Sequence, residues 1–141
     1  MLAGVLILSG ALAYLREPPW LASLESGFGA WEKDFEGVPY RWTSGRASFF
    51  VPADAAAVRI PLRSEVATPV SPAVVSVTVD DRLAEQLKVT DGRWQDCRVR
   101  LPPARSRRLR RIDLHVTRTY GGTNGLQVRE IEVIRATVPG S

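Results

Sequence analysis

One histidine, His115, and one cysteine, Cys97, are all that this sequence of 141 residues offers of the two most versatile catalytic side chains. A zinc site around a single imidazole would have to draw its other ligands from carboxylates, a poor match to the thiolate and imidazole ligands zinc takes. A serine nucleophile would need a GxSxG-type elbow, which is missing, and His115 falls on one face of an alternating run. Glycoside hydrolysis needs two facing carboxylates, and no pair stands out by spacing. Asp80 and Asp81 close an apolar alternation, where a hairpin turn explains them more simply than a structural calcium. A single cysteine excludes an intrachain disulfide and a thiolate metal cluster. Placed between Asp96 and the alternating RVRL, Cys97 reads as a small buried residue. No catalytic residue, metal or cofactor is therefore expected.

Recognition is left, and two sets of residues suit it. The stretch GVPYRWTSGRASFFVP, residues 37–52, places Tyr40, Arg41 and Trp42 ahead of an apolar run. Strict alternation puts Tyr40 and Trp42 on one face and Arg41 on the other. Trp42 is expected in the core, with its indole N–H on a backbone partner, and Tyr40 is equally compatible with core or surface. Should they be exposed, Tyr40, Trp42, Trp94 and Tyr120 are the candidates for stacking on a sugar ring. The second set is basic. Arginine outnumbers lysine 17 to two, and Arg98, Arg100, Arg105, Arg107, Arg108, Arg110 and Arg111 fall within fourteen residues. The connection LPPARSRRLRR is expected to point several of them from one edge of the fold, toward anionic lipid headgroups or an acidic protein partner. Nucleic acid is not expected, because no aromatic for base stacking lies between Trp94 and Tyr120. YGGTNG, residues 120–125, matches no phosphate loop and reads as a flexible or recognition loop.

The elements that must position these residues are strands. Val58, Ile60 and Leu62 alternate with Arg59, Pro61 and Arg63; Val75, Val77 and Val79 alternate with Ser76 and Thr78. The same period places Cys97, Val99 and Leu101 inside with Arg98 and Arg100 outside. It also sets Ile112, Leu114 and Val116 against Asp113, His115 and Thr117. Pro61 marks its strand as an edge or a bulge. In the last strand, LQVREIEVIRA, Ile131 and Val133 are the clearest inward residues. DDRLAEQLKV fits either a helical turn or a strand with Leu87 and Val89 inward. Turn signals recur between these runs, in VPADA, TPVSP, VDDR, TDGR, LPPARS and GGTNG. Many short strands at this spacing predict an all-β antiparallel sandwich over residues 37–136, followed by a short tail at 137–141.

The beginning of the chain differs. Residues 2–15 carry no charge and end at REPPW. A helix of that length rises only about 21 Å against a hydrocarbon core of about 30 Å. With Tyr14 and Trp20 at interfacial positions, residues 1–17 are expected to form an uncleaved anchor or transmembrane helix; a signal peptide cleaved after ALA is the alternative. Residues 18–36 then read as a linker and a short amphipathic segment, with Phe28, Trp31 and Phe35 packed beneath the sandwich or resting on a membrane or neighbouring subunit.

The succession GFGAWE, YRWTSGRASFFVP, AAVRIPLRS, AVVSVTVDD, DGRWQDCRVRLP and IDLHVTR…GLQVREIEVI resembles the galactose-binding-like jelly rolls of bacterial extracytoplasmic modules. Such domains occur on membrane glycosyltransferases and as carbohydrate-binding domains of secreted enzymes. The resemblance covers residues 27–135 and implies a jelly-roll sandwich outside the cytoplasm. Where those modules often carry an aspartate and an arginine before a Leu-Gly-Val step, this chain has YGGTNGLQV. The expected function is a non-catalytic accessory subunit, anchored by its N-terminal helix and docked on an integral membrane protein complex. The alternative is a carbohydrate-binding module of the cell envelope. In both, the sandwich lies on the periplasmic side.

Overall fold

The computed structural model describes residues 23–103 and 108–135. Ten strands follow in order: β1 (Glu25–Phe28), β2 (Glu32–Lys33), β3 (Pro39–Pro52), β4 (Ala55–Arg63), β5 (Ala73–Val79), β6 (Arg82–Val89), β7 (Gln95–Arg100), β8 (Leu109–Val116), β9 (Gln127–Val128) and β10 (Glu132–Arg135). All pairings are antiparallel. The expected anchor helix over residues 1–17 lies outside the described residues. No helix among the described residues is long and apolar enough to cross a membrane.

The long strand β3 belongs to two sheets. Its second half, Arg46–Pro52, pairs with β8, which continues to β5 and β6. Its first half meets β9 at Arg41 and Trp42. The strand turns its corner between these at Ser44–Arg46, where the Ser44 hydroxyl donates to the Arg46 carbonyl. At the corner Thr43 is tied to the second sheet, donating its N–H to Leu126 O (2.7 Å) and accepting at Oγ1 from Leu126 N (3.0 Å). In that second sheet β4 is central, with β7 on one side and β9 and β10 on the other. β1 and β2 run along the free edge of β3. Residues 25–36, expected as a linker with an amphipathic turn, thus contribute two strands.

Alternation fills the space between the sheets. Val58, Ile60 and Leu62 of β4 and Cys97 and Val99 of β7 share one buried cluster with Val75, Val77 and Val79 of β5, Ile112, Leu114 and Val116 of β8, and Ala47, Phe49 and Val51 of β3. Each large aliphatic side chain buried there contributes about 1.5–3 kcal/mol. DDRLAEQLKV resolves to strand β6, with Val89 buried and Leu87 packed on the core.

Two expectations are corrected. β4 is not an edge strand. Pro61 O accepts from Arg129 N (3.0 Å), so the N–H that proline lacks would face the side of β9 and β10. That is where the neighbouring strand is interrupted, between Val128 and Glu132. In the last strand the fully inward residues are Leu126 and Val128, while Ile131 is partly buried and Val133 is 37% exposed. The interruption opposite Pro61 shifts the alternation, and β10 reaches only the rim of the core.

Candidate functional site

The Tyr40-Arg41-Trp42 triplet opens β3. Arg41 points inward at the end of the sandwich, with its side chain 12% exposed. Its NH1 and NH2 grip the Glu25 carboxylate at 2.6 and 2.8 Å, and its guanidinium covers the rings of Phe28 (4.3 Å) and Trp31 (4.8 Å). The hydrogen bond and charge of Arg41 hold the Glu25 carboxyl below the ordinary carboxylate range, against the opposing effect of partial burial. Trp42, expected in the core, is not there. Thr43, Ala47, Phe49 and Val51 take the inward positions of β3, so Trp42 faces outward and stacks on Tyr120, with ring centroids 5.9 Å apart and planes at 17°. Tyr120 is 54% exposed and is held over Trp42 by paired backbone bonds with Asn124, so residues 120–125 form an ordered turn.

Trp94, just before β7, lies beneath two guanidinium groups, those of Arg129 (4.1 Å) and Arg63 (5.1 Å). Arg63 donates from Nε to Gln127 Oε1 (2.5 Å) and pairs with Glu65 (2.9 Å). Part of this aromatic surface is thus already occupied within the fold: Trp42 stacks on Tyr120, and arginines lie over Trp94. Tyr40 is half-buried.

A groove of about 560 Å³ opens beside them instead, on the outer face of the second sheet. One wall is the β2–β3 hairpin, with Trp31, Val38 and Pro39. The floor and the other wall are Arg59 and Pro61 of β4, Asp96 of β7, and Arg129 and Glu130 between β9 and β10. Trp31 is 50% exposed. Arg59 bridges Asp96 (3.1 Å) and Glu132 (2.7 Å), and hydrogen bonds to these carboxylates raise its already high pKa. Arg129 reaches Asp34 at 3.6 Å. Asp34 also accepts from Glu36 N and Val38 N (2.9 Å each), which fixes the hairpin tip. The groove thus offers the half-exposed Trp31 ring, with Arg41 over it at 4.8 Å, a proline floor and a ring of donors and acceptors, a combination that can orient a polar ligand while covering its apolar side. Trp31 was legible in the sequence only as part of an apolar segment. Arg59, Asp96, Arg129 and Glu130 come from three separate segments, and no local signal joins them.

The arginine cluster does not act as one edge. Arg98 and Arg100 are exposed on the outer face of β7, in the second sheet. Arg110 and Arg111 belong to β8 of the first sheet. Arg110 is buried and internally neutralised, donating from Nε to Asp80 Oδ2 (2.6 Å) and from NH1 to the Pro102 carbonyl (2.6 Å). It is not a partner-facing residue, because β8 presents it on the inward side of its alternation. Arg111 is paired with Asp81 and with Asp113 (3.0 Å). Arg108 is exposed, and Arg105 and Arg107 lie outside the described residues. Asp80 and Asp81 have φ of 49° and 69°, the backbone of a tight hairpin between β5 and β6. His115 is exposed on the outer face of the first sheet, between Arg46 and Ser76 in register. Burial, with a smaller effect of the Glu85 charge, pushes the Cys97 thiol up to about 11. Among the described residues no group of three or more His, Cys, Asp or Glu is placed to hold a metal ion.

No family model and no curated protein matches the chain. Solved structures do. The fold is similar to that of a salicylyl-acyltransferase from a tetracycline biosynthetic pathway, at TM-score 0.53 and 13% identity, over 79% of this chain and 36% of that one. It is also similar to a family two carbohydrate esterase from Clostridium thermocellum in complex with cellohexaose, at TM-score 0.50 and 11% identity, over 82% of this chain and 34% of that one. The chain thus spans about a third of the length of either enzyme. A family 35 carbohydrate binding module from Clostridium thermocellum matches at TM-score 0.43 and 16% identity, over 77% of this chain and 93% of that module. These likenesses concern the fold.

Proposed function

We propose that this chain is a non-catalytic carbohydrate-binding module that holds a saccharide in the groove on the outer face of its second sheet. The observation that carries it is the half-exposed Trp31 indole in a groove whose other walls are Arg59, Asp96, Arg129 and Glu130. An indole face covers the apolar side of a pyranose, and flanking charged groups hydrogen-bond its hydroxyls. The groove volume of about 560 Å³ suits a short stretch of saccharide. That a carbohydrate esterase shares the fold is an analogy, and the assignment stands on the site.

Calorimetric titration of the full chain against a panel of plant and bacterial oligosaccharides tests this. At least one is expected to bind, and Trp31→Ala to weaken it by roughly tenfold, the worth of one good aromatic contact. An unchanged affinity in Trp31→Ala, or no binding across the panel, would overturn the assignment.

A second reading, an envelope-side accessory subunit docked on a membrane assembly, is favoured by a different observation. Leu24, Trp31 and Phe35 are 45%, 50% and 98% exposed, and they lie on the segment that leads in from the apolar N-terminal stretch. Gentle detergent extraction followed by size separation tests it: stoichiometric co-migration with a membrane complex supports docking, and a free monomer rejects it.

A further inference from the structure

Among the described residues, nearly every carboxylate around the groove already has a cation. Arg59 takes Asp96 and Glu132, Arg129 takes Asp34, and Arg63 takes Glu65. Glu130 is the exception, with no ion pair among the described residues. On the cationic side Arg98 and Arg100 have none either, and both are exposed. They follow Asp96 on the outward face of β7, Arg98 beside Arg59 and Arg100 beyond it, so they adjoin the groove without lining it. Arg98 stands directly across from Arg59, and Arg100 across from Ala57, which has no side chain long enough to cover it. Arg59 has its own two carboxylates, whereas no carboxylate of the described residues pairs with Arg98 or Arg100.

We infer that the saccharide taken by this groove is an acidic one, a uronate-containing polysaccharide whose carboxylates are read by Arg98 and Arg100; this assignment rests on the glycan-binding reading. Outward residues two apart on one strand are spaced about 7 Å, and neighbouring strands about 5 Å. Arg98 and Arg100 therefore stand two residues apart on the outward sheet face, beside the ion-paired Arg59 of the groove. Arginine offers a planar fork that accepts a carboxylate through two parallel hydrogen bonds, a geometry that a lysine ammonium lacks. A flat anionic membrane would use charges at a protruding edge. These project from a sheet face that continues into a walled groove, which suits a chain-like ligand.

The test titrates the full chain with an oligogalacturonate and with the neutral cellohexaose, and measures co-sedimentation with phosphatidylserine vesicles. Binding of the oligogalacturonate in preference to cellohexaose, weakening as salt is raised, is expected. The Arg98→Gln/Arg100→Gln double variant is expected to lose roughly tenfold in affinity for the oligogalacturonate, with cellohexaose binding unmoved. Both residues are exposed, so thermal unfolding of the variant should match that of the parent. Equal affinity for the two oligosaccharides, insensitive to the double substitution, would sink the acidic specificity and leave glycan binding standing. Binding to the vesicles with no saccharide bound would overturn both.

Discussion

At the scale of single residues, the arginines divide by what neutralises them. Arg110 is the structural extreme: its side chain is 8% exposed, and Asp80 receives both its Nε–H and the backbone N–H of Arg111 (2.9 Å). Removing it would take from a partly buried carboxylate its 2.6 Å ion-pair partner and from the Pro102 carbonyl the Arg110 donor. Full burial would put that loss at several kcal/mol, and the 27% exposure of Asp80 reduces it. Arg110→Ala is therefore expected to destabilise the fold by roughly 2–3 kcal/mol in chemical denaturation. A loss below about 0.5 kcal/mol would mean that the pair behaves as an ordinary surface ion pair. Trp31 is the contrasting case, half exposed and sharing Arg41 with Phe28, so its removal is expected to be felt in binding more than in stability.

At the scale of elements, the site depends on how β3 passes from one sheet to the other. β1 follows it across the corner, and the register jumps from Ser26↔Ser48 to Phe28↔Thr43. Gly27 sits at that jump with φ of 76°, and a Cβ there would run into the Arg46 carbonyl and come within 2.8 Å of the Ala47 Cα. Both obstacles are backbone and cannot swing aside. Gly27→Ala is expected to cost about 2–4 kcal/mol, from the left-handed conformation and the overpacking together. Circular-dichroism melts would read this as a markedly lower Tm, and an unchanged Tm would show that the corner can relax. The hairpin tip is set by a smaller device, the Asp34 carboxylate that accepts two backbone N–H groups and positions the wall on which Trp31 stands.

At the scale of the whole molecule, one core serves both sheets, and Cys97 reports on it. The thiol is buried between the layers, and its pKa of about 11 leaves it protonated at neutral pH. Raised above the value of 9.0 for an exposed thiol, it favours folding at neutral pH, and that contribution is lost as pH rises from 9 to about 11. Because β7 can expose Cys97 only by leaving β4, labelling by a thiol reagent is expected to require global opening. Its free energy, measured by exchange kinetics at pH 7.5, should match that from urea denaturation. Labelling at the rate of a free thiol in native buffer would show that β7 opens on its own.

The sequence by itself determined most strands of the body, though not β1, β2 or β6, because period-two alternation depends only on neighbours: Val58, Ile60 and Leu62 had to face one way and Arg59 and Arg63 the other. It determined the buried cysteine and the Asp80-Asp81 hairpin for the same local reason. Tertiary structure decided the rest. Alternation fixes which residues share a face but not which face is inside, so Trp42 and Tyr40 were legible as a pair while their side of the sheet was not. Nor does it reveal strand partners. Fourteen residues of arginine-rich sequence were split between two sheets because β7 pairs with β4 and β8 with β3. The groove brings Trp31, Arg59, Asp96 and Arg129 together across almost a hundred positions. Pairing of distant strands is a property of the packed core as a whole, and no stretch of the chain carries it alone.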